Sequence, residues 1–574
     1  MSKIISGLAV LALIVSCCSL TEAQIVNALG TPPFSSIGGG PFDQINLGNL
    51  NTHFEIPIVS KAGRGLPFKF SLTYDSLAWA PVTSGSTTSW QMLSNGGWHP
   101  TGTYTVATFD VTGPTSRICN SLGTQYNYTE FRVKDFIDPM GVKHYVGVLL
   151  SNDTDVPCNP DKAFKQLLIN DGSGMTVSVT TDGAEVTGSV KLLNGTGIGV
   201  GTTSWQDNNG NYISGAIDTL GQTALTITGT APSNVTYTYT GPSGAASYVV
   251  KYYSPLTIQT KFHSQCSSVQ DVTISNVYLV KEIDLPDFNA TTNPNAKYTF
   301  TYEPTPTVPT NTTGRIQSVT LPTGGQISYS YTDTTGTSLI ECTDGTPQIL
   351  TRTTSDGTTK YSRPTAAPWT TAVTDTLSNV TTYSFATNTT TNPTLTNFYE
   401  TKRSNNLATV FTCYNAVCPA GTTVALPITS TAVYWQAGSS GRAKETATTY
   451  NTSGQVTRID SYDFGAPTTT NPPAVGSALR SQVVTYTGAF PSEIDVSELG
   501  TLVSETLFKY DEYAVVSTTG TPSHVTGSNS GNLTTVQKWL TGSSFLTSHY
   551  HYFDTGNVSE FDDANGGVNL HVEC

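Results

Sequence analysis

A short sequence motif that recurs in the second half of the chain, called the phrase below, constrains the fold more than any other feature. Residues 450–460 (YNTSGQVTRID) and 552–562 (YFDTGNVSEFD) share a tyrosine, a glycine four places later and two apolar residues after the glycine. The same core returns at Gly314, Ile316 and Val319 and at Gly531, Leu533 and Val536. Each copy has an apolar face that it cannot bury alone, so the repetition predicts units that pack against one another.

The spacing within the phrase predicts its local geometry. The glycine can adopt the positive φ of a tight turn, and the apolar pair begins the returning strand. The two apolar residues stand three places apart, whereas side chains on one face of a strand stand two apart. The step therefore indicates either a β-bulge or a strand buried on both faces.

The rest of the chain also favours strands and turns. Charged residues make up 12% and aromatic residues 10%, with 28 Tyr, 51 Gly and 31 Pro, a mixture poor in helix formers. Alternating apolar rows are typical of half-buried strands, and they occur at Tyr237/Tyr239, Tyr298/Phe300/Tyr302, Ile327/Tyr329/Tyr331, Tyr383/Phe385 and Tyr550/Tyr552. Because no stretch after the amino terminus sustains a helical period, we predict an all-β protein.

Four regions are predicted along the chain. Residues 1–23 read as a signal peptide, 24–110 as an amino-terminal β-rich region, 111–290 as a β-rich region with diverged repeat turns, and 291–574 as the repeat region. Polar Pro/Thr stretches at 304–313 and 466–474 are predicted to be loops that interrupt the repeats.

The amino terminus predicts export. Lys3 precedes an apolar run from Ile4 to Val15, and small residues stand before Gln24, as in a cleaved leader. A second interpretation is a lipoprotein signal in which Cys17 carries a lipid anchor. The apolar run is too short to span a bilayer, and the sequence predicts no transmembrane span after it. Both interpretations place the protein outside the cytoplasm, either secreted or attached to the cell surface.

The cysteines are consistent with an oxidising compartment. Nine are present, and seven remain without Cys17 and Cys18 of the leader. The candidate disulfides are Cys413 with Cys418, Cys119 with Cys158 and Cys266 with Cys342, which leaves Cys574 over. The alternative is a set of scattered buried thiols.

Charge and motifs exclude several function classes. The net charge is −14 without basic clusters, so nucleic-acid binding, which needs a positive patch, is not predicted. No metalloprotease, phosphate-loop or nucleophile-elbow motif occurs. His549 and His551 share a strand face and could bind zinc with a third ligand, but they are interpreted as part of a polar solvent face. His99 has no partner evident in the sequence, so it is interpreted as a packed loop residue beside Trp98.

Acidic turns and aromatic residues are the remaining candidates. Asp207, Asn209 and Asn211 alternate oxygen ligands, as Asp562, Asp563 and Asn565 do less regularly, but neither fits a calcium loop and both are good turn formers. Six tryptophans could stack on sugars or pack in a core, namely Trp90, Trp98, Trp205, Trp369, Trp435 and Trp539. Nothing local marks a glycosidase pair of carboxylates. No catalytic, cofactor-binding or metal-binding residue is therefore assigned.

The phrase resembles the YD-repeat family, also called RHS repeats. The matching stretches are 450–454, 552–556, 510–511, 314–325 with the tyrosines that follow, and 62–76, which is similar to the segment that precedes such repeats. The resemblance implies a long β-sheet ribbon that spirals into a hollow shell, in polymorphic toxins and in surface or secreted proteins. The sequence departs from the family pattern in having about four clear copies, and in lacking the self-cleaving carboxy-terminal core and a toxin domain.

These observations together predict an exported repeat β protein without catalytic activity. Its expected role is structural or interactive, in adhesion or in forming a shell, either alone or as the amino-terminal part of a larger YD-repeat protein. The expected partner is another protein or a cell-surface glycan. The alternative is a secreted carbohydrate-active or carbohydrate-binding β protein.

Overall fold

A computed structural model describes residues 26–27, 29–93, 96–333, 337–365, 367–388, 395–418, 423–527 and 530–564. Every regular element within those ranges is a β-strand, which confirms the predicted all-β class. The leader, the candidate lipid site Cys17, and Cys18, Asn565 and Cys574 lie outside the described residues. None of the described segments forms a helix that could cross a membrane.

The strands of the first half of the chain are short or of medium length. They are β1 (Val26–Asn27), β2 (Ile37–Gly39), β3 (Asp43–Asn46), β4 (Thr52–Lys61), β5 (Phe68–Asp75), β6 (Trp79–Ser84), β7 (Thr87–Met92), β8 (Gly97–Gly102), β9 (Thr108–Ser121), β10 (Thr124–Ile137), β11 (Lys143–Leu150), β12 (Phe164–Leu168), β13 (Thr176–Thr181), β14 (Val186–Lys191), β15 (Gly197–Gly199), β16 (Ser204–Gln206), β17 (Tyr212–Ser214), β18 (Thr226–Thr228), β19 (Val235–Gly241), β20 (Gly244–Tyr252), β21 (Leu256–Gln259), β22 (Val269–Gln270), β23 (Thr273–Val277) and β24 (Val280–Asp284).

The second half consists largely of successive hairpins. Its strands are β25 (Lys297–Thr305), β26 (Val308–Thr320), β27 (Gln326–Ser330), β28 (Ile349–Thr354), β29 (Gly357–Ser362), β30 (Trp369–Thr374), β31 (Val380–Asn388), β32 (Leu395–Thr396), β33 (Phe398–Ser404), β34 (Ala408–Tyr414), β35 (Thr423–Val424), β36 (Ser430–Ala437), β37 (Ala443–Tyr450), β38 (Val456–Tyr462), β39 (Ala478–Thr487), β40 (Phe490–Glu498), β41 (Thr501–Tyr510), β42 (Leu533–Thr541), β43 (Ser544–Tyr552) and β44 (Val558–Asp562).

One sheet of 25 strands runs from β18 to β44 in chain order, with β22 and β32 placed in smaller sheets. From β24 onward, successive strands of this sheet pair antiparallel except at β35, which is parallel to β31 while β34 pairs with β36. A short parallel contact also joins β21 to β26. The other sheets are β2-β3-β4-β5-β8, β12 to β17, β11-β10-β9, β22-β7-β6 and the parallel pair β1-β32. Sequential hairpins keep neighbouring strands close in sequence, as the repeated turn signals predicted.

The main hydrophobic core lies between the five-stranded sheet and the first part of the large sheet. The ring of Phe54 on β4 stacks on Tyr74 of β5 with centroids 5.2 Å apart, and it lies 6.4 Å from Phe300 of β25. These rings belong to one continuous cluster of buried side chains. The cluster draws residues from all three of the predicted β regions, and the predicted region boundaries stay predictions.

The stretch 304–313 is not a loop, contrary to the sequence-based expectation. Residues 304–305 end β25 and residues 308–313 begin β26, with the chain turning at Thr307, where φ is 64°. Buried partners satisfy the polar side chains here, because the Glu303 carboxylate accepts hydrogen bonds from Thr313 Oγ1 (2.5 Å) and Arg315 Nε (2.8 Å). The buried ion pair of Glu303 and Arg315 therefore borders a stretch whose polar composition suggested a loop, and local patterning does not reveal that pair. The stretch 466–474 is outside regular structure, as predicted.

All three candidate disulfides are present. Cys119 is bonded to Cys158, Cys266 to Cys342 and Cys413 to Cys418. The first joins β9 to the segment after β11, and the second joins the loop before β22 to the segment after β27. The alternative of scattered free thiols is therefore wrong for these six cysteines.

Candidate functional site

The copy of the phrase at residues 450–460 folds into a tight hairpin turn between β37 and β38. In the copy that begins at Tyr450, Asn451 Oδ1 accepts hydrogen bonds from the backbone N–H groups of Ser453 (2.9 Å) and Gln455 (3.0 Å). Gly454 has φ of 78°, which confirms the predicted role of the glycine. The same pattern recurs in four other turns. In each, the Asp side chain accepts hydrogen bonds from the backbone N–H groups two and four residues later, and these residues are Asp138, Asp207, Asp218 and Asp375.

The three-residue step between the apolar positions is a β-bulge, as predicted. Tyr450 pairs with Val456 and Thr449 pairs with Arg458, so Thr457 is the extra residue. Its hydroxyl donates to the carbonyl of Thr449 (3.2 Å), which satisfies a backbone acceptor at the break in the ladder. The register shifts in the same way at Tyr552/Val558, Tyr510/Leu533 and Tyr302/Ile316. All four copies of the phrase thus carry a bulge between their apolar residues.

The tyrosines of three units link their hairpin to the strand before it, whereas the Tyr450 hydroxyl lies near the Thr431 hydroxyl (3.4 Å). Tyr552 Oη donates to the carbonyl of Leu533 (2.8 Å), which lies on the preceding strand of the large sheet. Tyr510 bonds the carbonyl of Pro491 (2.8 Å) and Tyr486 that of Val456 (2.9 Å) in the same manner. Sequence analysis did not assign this role to the tyrosines.

A further unit of the same geometry was missed in the sequence. Tyr486 pairs with Pro491, Ser492 is the bulged residue, and its hydroxyl donates to the Thr485 carbonyl (3.2 Å). The turn between Tyr486 and Pro491 is shorter than in the other copies. The glycine therefore does not stand four places after the tyrosine, as it does in the phrase. A tyrosine followed six or seven places later by Ser or Thr is the signal that could have found it.

One end of the large sheet carries exposed leucines, which we call the leucine rim: Leu377, Leu407, Leu499 and Leu540. Consecutive antiparallel strands reverse direction, so the β30–β31, β33–β34, β40–β41 and β42–β43 connections lie at the same end. Leu377 is 81% exposed, Leu407 80% and Leu499 74%. Leu499 also has φ of 47°, a conformation that leucine adopts only at a cost of about 1–2 kcal/mol. Turn geometry alone would favour Asn or Gly there.

His549 and His551 lie on β43 but do not form a metal site with a third ligand in the described part of the chain. His549 Nδ1 is 2.9 Å from Tyr513 Oη, and His551 Nε2 is 3.8 Å from Asp562 Oδ2. The Tyr513 ring lies 4.4 Å from the His551 ring. The pair therefore packs around one tyrosine.

An acidic group that sequence analysis did not single out lies on β40 and β41. Carboxylate oxygens of Glu493, Asp495 and Glu505 lie within 4.8 Å of one another, in side chains that are half-buried. Burial and the neighbouring charge of Asp495 raise the pKa of Glu493. Glu493 and Asp495 stand two places apart, so the sequence alone places them on one strand face. Only the pairing of β40 with β41 brings Glu505 beside them.

The calcium candidates at 207–211 use their oxygens within the turn. Asp207 Oδ1 accepts the backbone N–H groups of Asn209 and Asn211 (2.9 Å each), and Asn211 Nδ2 donates to Asp207 Oδ2 (2.8 Å). The turn interpretation is the one that the structure supports. Asp562 lies at the end of β44 and Asp563 follows it.

His99 has a partner that sequence analysis could not supply. On β8, His99 Nε2 lies 3.6 Å from Asp75 Oδ2 of β5, and His53 Nδ1 of β4 lies 3.0 Å from Asp75 Oδ1. Burial would raise the pKa of the Asp75 carboxyl, but the hydrogen bond and charge of His53 hold it below its usual value. Burial lowers the pKa of His99, which favours its neutral form. The three residues lie on the neighbouring strands β4, β5 and β8, so no local sequence motif predicts the cluster.

A second buried histidine lies between two carboxylates. His144 Nδ1 is 2.6 Å from Asp171 Oδ2, and His144 Nε2 is 3.5 Å from Asp138 Oδ2. Burial alone would lower the pKa of His144, but hydrogen bonds to Asp138 and Asp171 raise it to about 9. The imidazolium joins the turn after β10 to the turn after β12.

The tryptophans divide between core and surface. Trp90 is buried, Trp205 and Trp369 pack beside core clusters, Trp435 is exposed and stacks edge-on to Phe464, and Trp539 is half-buried. Trp98 is different, because it is half-buried and lines a cavity of about 340 Å³ together with His99 and several tyrosines. Trp98 Nε1 donates to Tyr302 Oη (3.0 Å).

Comparisons with known proteins give little beyond this geometry. No protein-family model matches the chain, and no curated protein matches it. The crystal structure of TcdB2-TccC3-TEV matches with 8% identity over 91% of this chain and 23% of that chain, at a TM-score of 0.22. The Photorhabdus luminescens Tc holotoxin pore matches with 8% identity over 89% of this chain and 24% of that chain, at a TM-score of 0.19.

The crystal structure of TcdB2-TccC3 without its hypervariable C-terminal region gives 8% identity over 90% of this chain and 24% of that chain, again with a TM-score of 0.19. This chain spans about a quarter of the length of these solved chains. TM-scores this low do not establish a shared fold.

Proposed function

We propose that this chain is an exported YD-repeat β protein that acts without catalysis, as a structural scaffold and an interaction surface. The observation that carries the proposal is the repeated link between hairpins, in which a tyrosine hydroxyl bonds the carbonyl of the preceding strand. Such links favour one continuous sheet in which each unit depends on its neighbours. A scaffold of this kind suits adhesion or the wall of a shell.

The leucine rim supports the interaction part of the proposal. Exposed leucines cost solubility, and Leu499 also carries backbone strain, so stability alone gives no reason to keep them. The partner we propose is another protein surface with apolar contacts of its own. Arg442 and Lys444 are exposed at the β36–β37 hairpin, which lies at the same end of the sheet as the leucine rim. They add positive charge there in an acidic chain.

The test compares the mature chain with a variant in which the four rim leucines are changed to serine. We expect the variant to lose self-association, measured by light scattering, or to lose attachment to cells, measured by co-sedimentation. The matched control is Leu122→Ser, which changes a fully exposed leucine on the separate β9–β10 hairpin. Equal association by all three proteins would remove the rim from the proposal.

A separate assay addresses catalysis. The proposal expects no turnover on a panel of polysaccharides. Turnover that one Asp or Glu substitution abolishes would overturn the non-catalytic role and favour the carbohydrate-active alternative. Export is tested by the mass of the product recovered outside the cytoplasm, which is expected to begin at Gln24 or at a lipid-modified Cys17.

A further inference from the structure

The aromatic cavity beside Trp98 lies between two sheets. β5 and the edge strand β8 of the five-stranded sheet form one side, and β19, β20 and β25 of the large sheet form the other. Its volume of about 340 Å³ is at the lower end of the roughly 300–1,000 Å³ found for ligand pockets. Leu72, Val250 and Val280 supply aliphatic wall, and Trp98, whose ring also packs edge-on with Phe300, supplies aromatic wall.

Three of the tyrosines that line this cavity have no hydrogen-bond partner for their hydroxyls among the described residues, namely Tyr237, Tyr252 and Tyr278. Tyr237 is only 9% exposed, yet its hydroxyl forms no hydrogen bond within the described chain and is not sealed from solvent. Tyr252, at the end of β20, also has no hydrogen-bond partner for its hydroxyl among the described residues, but its side chain is only half-buried. Tyr302 differs, because its hydroxyl accepts from Trp98 and donates to the Val280 carbonyl (2.6 Å). Because these unpaired hydroxyls are open to solvent, each is available to a hydrogen-bonding group of a ligand that displaces water from the cavity.

The charge of the lining restricts what can enter. The described residues that line the cavity include no Lys, Arg, Asp or Glu. Its one titratable base, His99, is turned toward Asp75 and the Gly97 carbonyl. A charged ligand would lose its hydration without gaining a counter-ion, so the cavity favours a neutral molecule. The combination of apolar and aromatic lining with free hydroxyls favours a molecule that has an apolar face and a hydroxylated rim.

We propose that this cavity binds one ring of a neutral sugar. The C–H face of a pyranose would stack on Trp98, and its hydroxyl groups would bond the free hydroxyls of Tyr237 and Tyr252. This site goes beyond the scaffold role and does not depend on the leucine rim. It assigns binding only, without any chemical step.

The experiment uses the full mature chain and isothermal titration calorimetry. The probes are the methyl β-glycosides of glucose and galactose, N-acetylglucosamine and cellobiose, with glucuronate and phenol as comparison ligands. Tyr237→Phe and Tyr252→Phe remove one hydroxyl each and keep the ring. Tyr248→Phe is the matched control, because Tyr248 pairs with Tyr237 across the β19–β20 ladder and does not line the cavity.

We expect at least one neutral sugar to bind, and each cavity variant to weaken its Kd by roughly fivefold to tenfold, the value of one hydrogen bond. Tyr248→Phe is expected to bind as the unmodified chain does. Thermal melts of the three variants establish that they are folded. The proposal is overturned if no neutral sugar binds below about 10 mM, a Kd too weak for a built site. It is also overturned if phenol or glucuronate binds instead, or if both cavity variants bind the sugar unchanged.

Discussion

At the scale of single residues, hydroxyl groups satisfy backbone carbonyls at three of the bulges that interrupt the regular ladder. Thr457, Thr534 and Ser492 occupy bulges, and each donates to a carbonyl of the facing strand at 3.1–3.2 Å. The tyrosine hydroxyls do the same between hairpins. These bonds explain why a chain so rich in Tyr and Thr can keep a continuous sheet, because unpaired backbone groups are costly where water is excluded.

Tyr510→Phe tests the link between hairpins. The substitution leaves the ring in place and removes the hydrogen bond to the Pro491 carbonyl, so we expect a loss of about 1 kcal/mol in the free energy of unfolding. Urea denaturation measures it. Tyr550→Phe is the control, since the Tyr550 hydroxyl has no hydrogen-bond partner within the described chain. Equal losses in both variants would contradict the linking role.

His144 gives stability a dependence on pH in the neutral to alkaline range. Its pKa is raised from 6.5 to about 9 in the folded chain, so its contribution is complete below about pH 6.5 and is lost as pH rises through about 9. The contribution is at most about 3 kcal/mol. We expect the difference in unfolding free energy between the unmodified chain and His144→Gln to shrink over that range. A constant difference would show that the imidazolium does not hold Asp138 and Asp171 together.

At the scale of elements, the five-residue turn is the most predictable part of the protein. Its geometry depends on one glycine with positive φ and one Asp or Asn that bonds its own backbone, and both signals lie within a few residues. The bulge was equally predictable, because a three-residue apolar step cannot fit an unbroken strand. The unit at Tyr486 was missed in the sequence because its shorter turn changes the distance between the tyrosine and the glycine. Its strand pairing is the same as in the other units.

Gly454→Ala tests the turn. A Cβ at this position would meet nothing closer than the Gly172 carbonyl oxygen at 3.5 Å, so the expected loss of about 1–2 kcal/mol arises from the positive φ alone. Gly325→Ala is the control, because Gly325 closes a similar turn without positive φ and has open space around it. The midpoint of thermal unfolding is expected to fall for the first variant and to stay within error for the second.

At the scale of the whole molecule, disulfides and buried ion pairs join segments that the repeats leave independent. The Cys266–Cys342 bond spans 76 residues, whereas Cys413–Cys418 spans 5. Cross-links across longer loops restrict the unfolded chain more. Asp43 on β3 also accepts from Arg352 Nη2 on β28 at 2.7 Å, which fixes the five-stranded sheet on the large one.

Replacing both cysteines of a pair with alanine tests this difference. We expect the Cys266–Cys342 variant to lose roughly 4 kcal/mol and the Cys413–Cys418 variant roughly 2 kcal/mol, from the loop-length relation. Guanidinium denaturation under non-reducing conditions measures both. Losses in the reverse order would show that local packing around the cysteines outweighs the effect of loop length.

The sequence by itself determined the all-β class and many of the turns, and it offered the bulges and the three disulfide pairs as candidates. Each of these depends on residues a few places apart, or on the order of a few cysteines. Only the tertiary structure decided which distant side chains meet: His99 with Asp75, Arg315 with Glu303, and Trp98 with the free tyrosine hydroxyls. The physical reason is that strand register and sheet packing bring these groups together across the chain, and no local pattern encodes either.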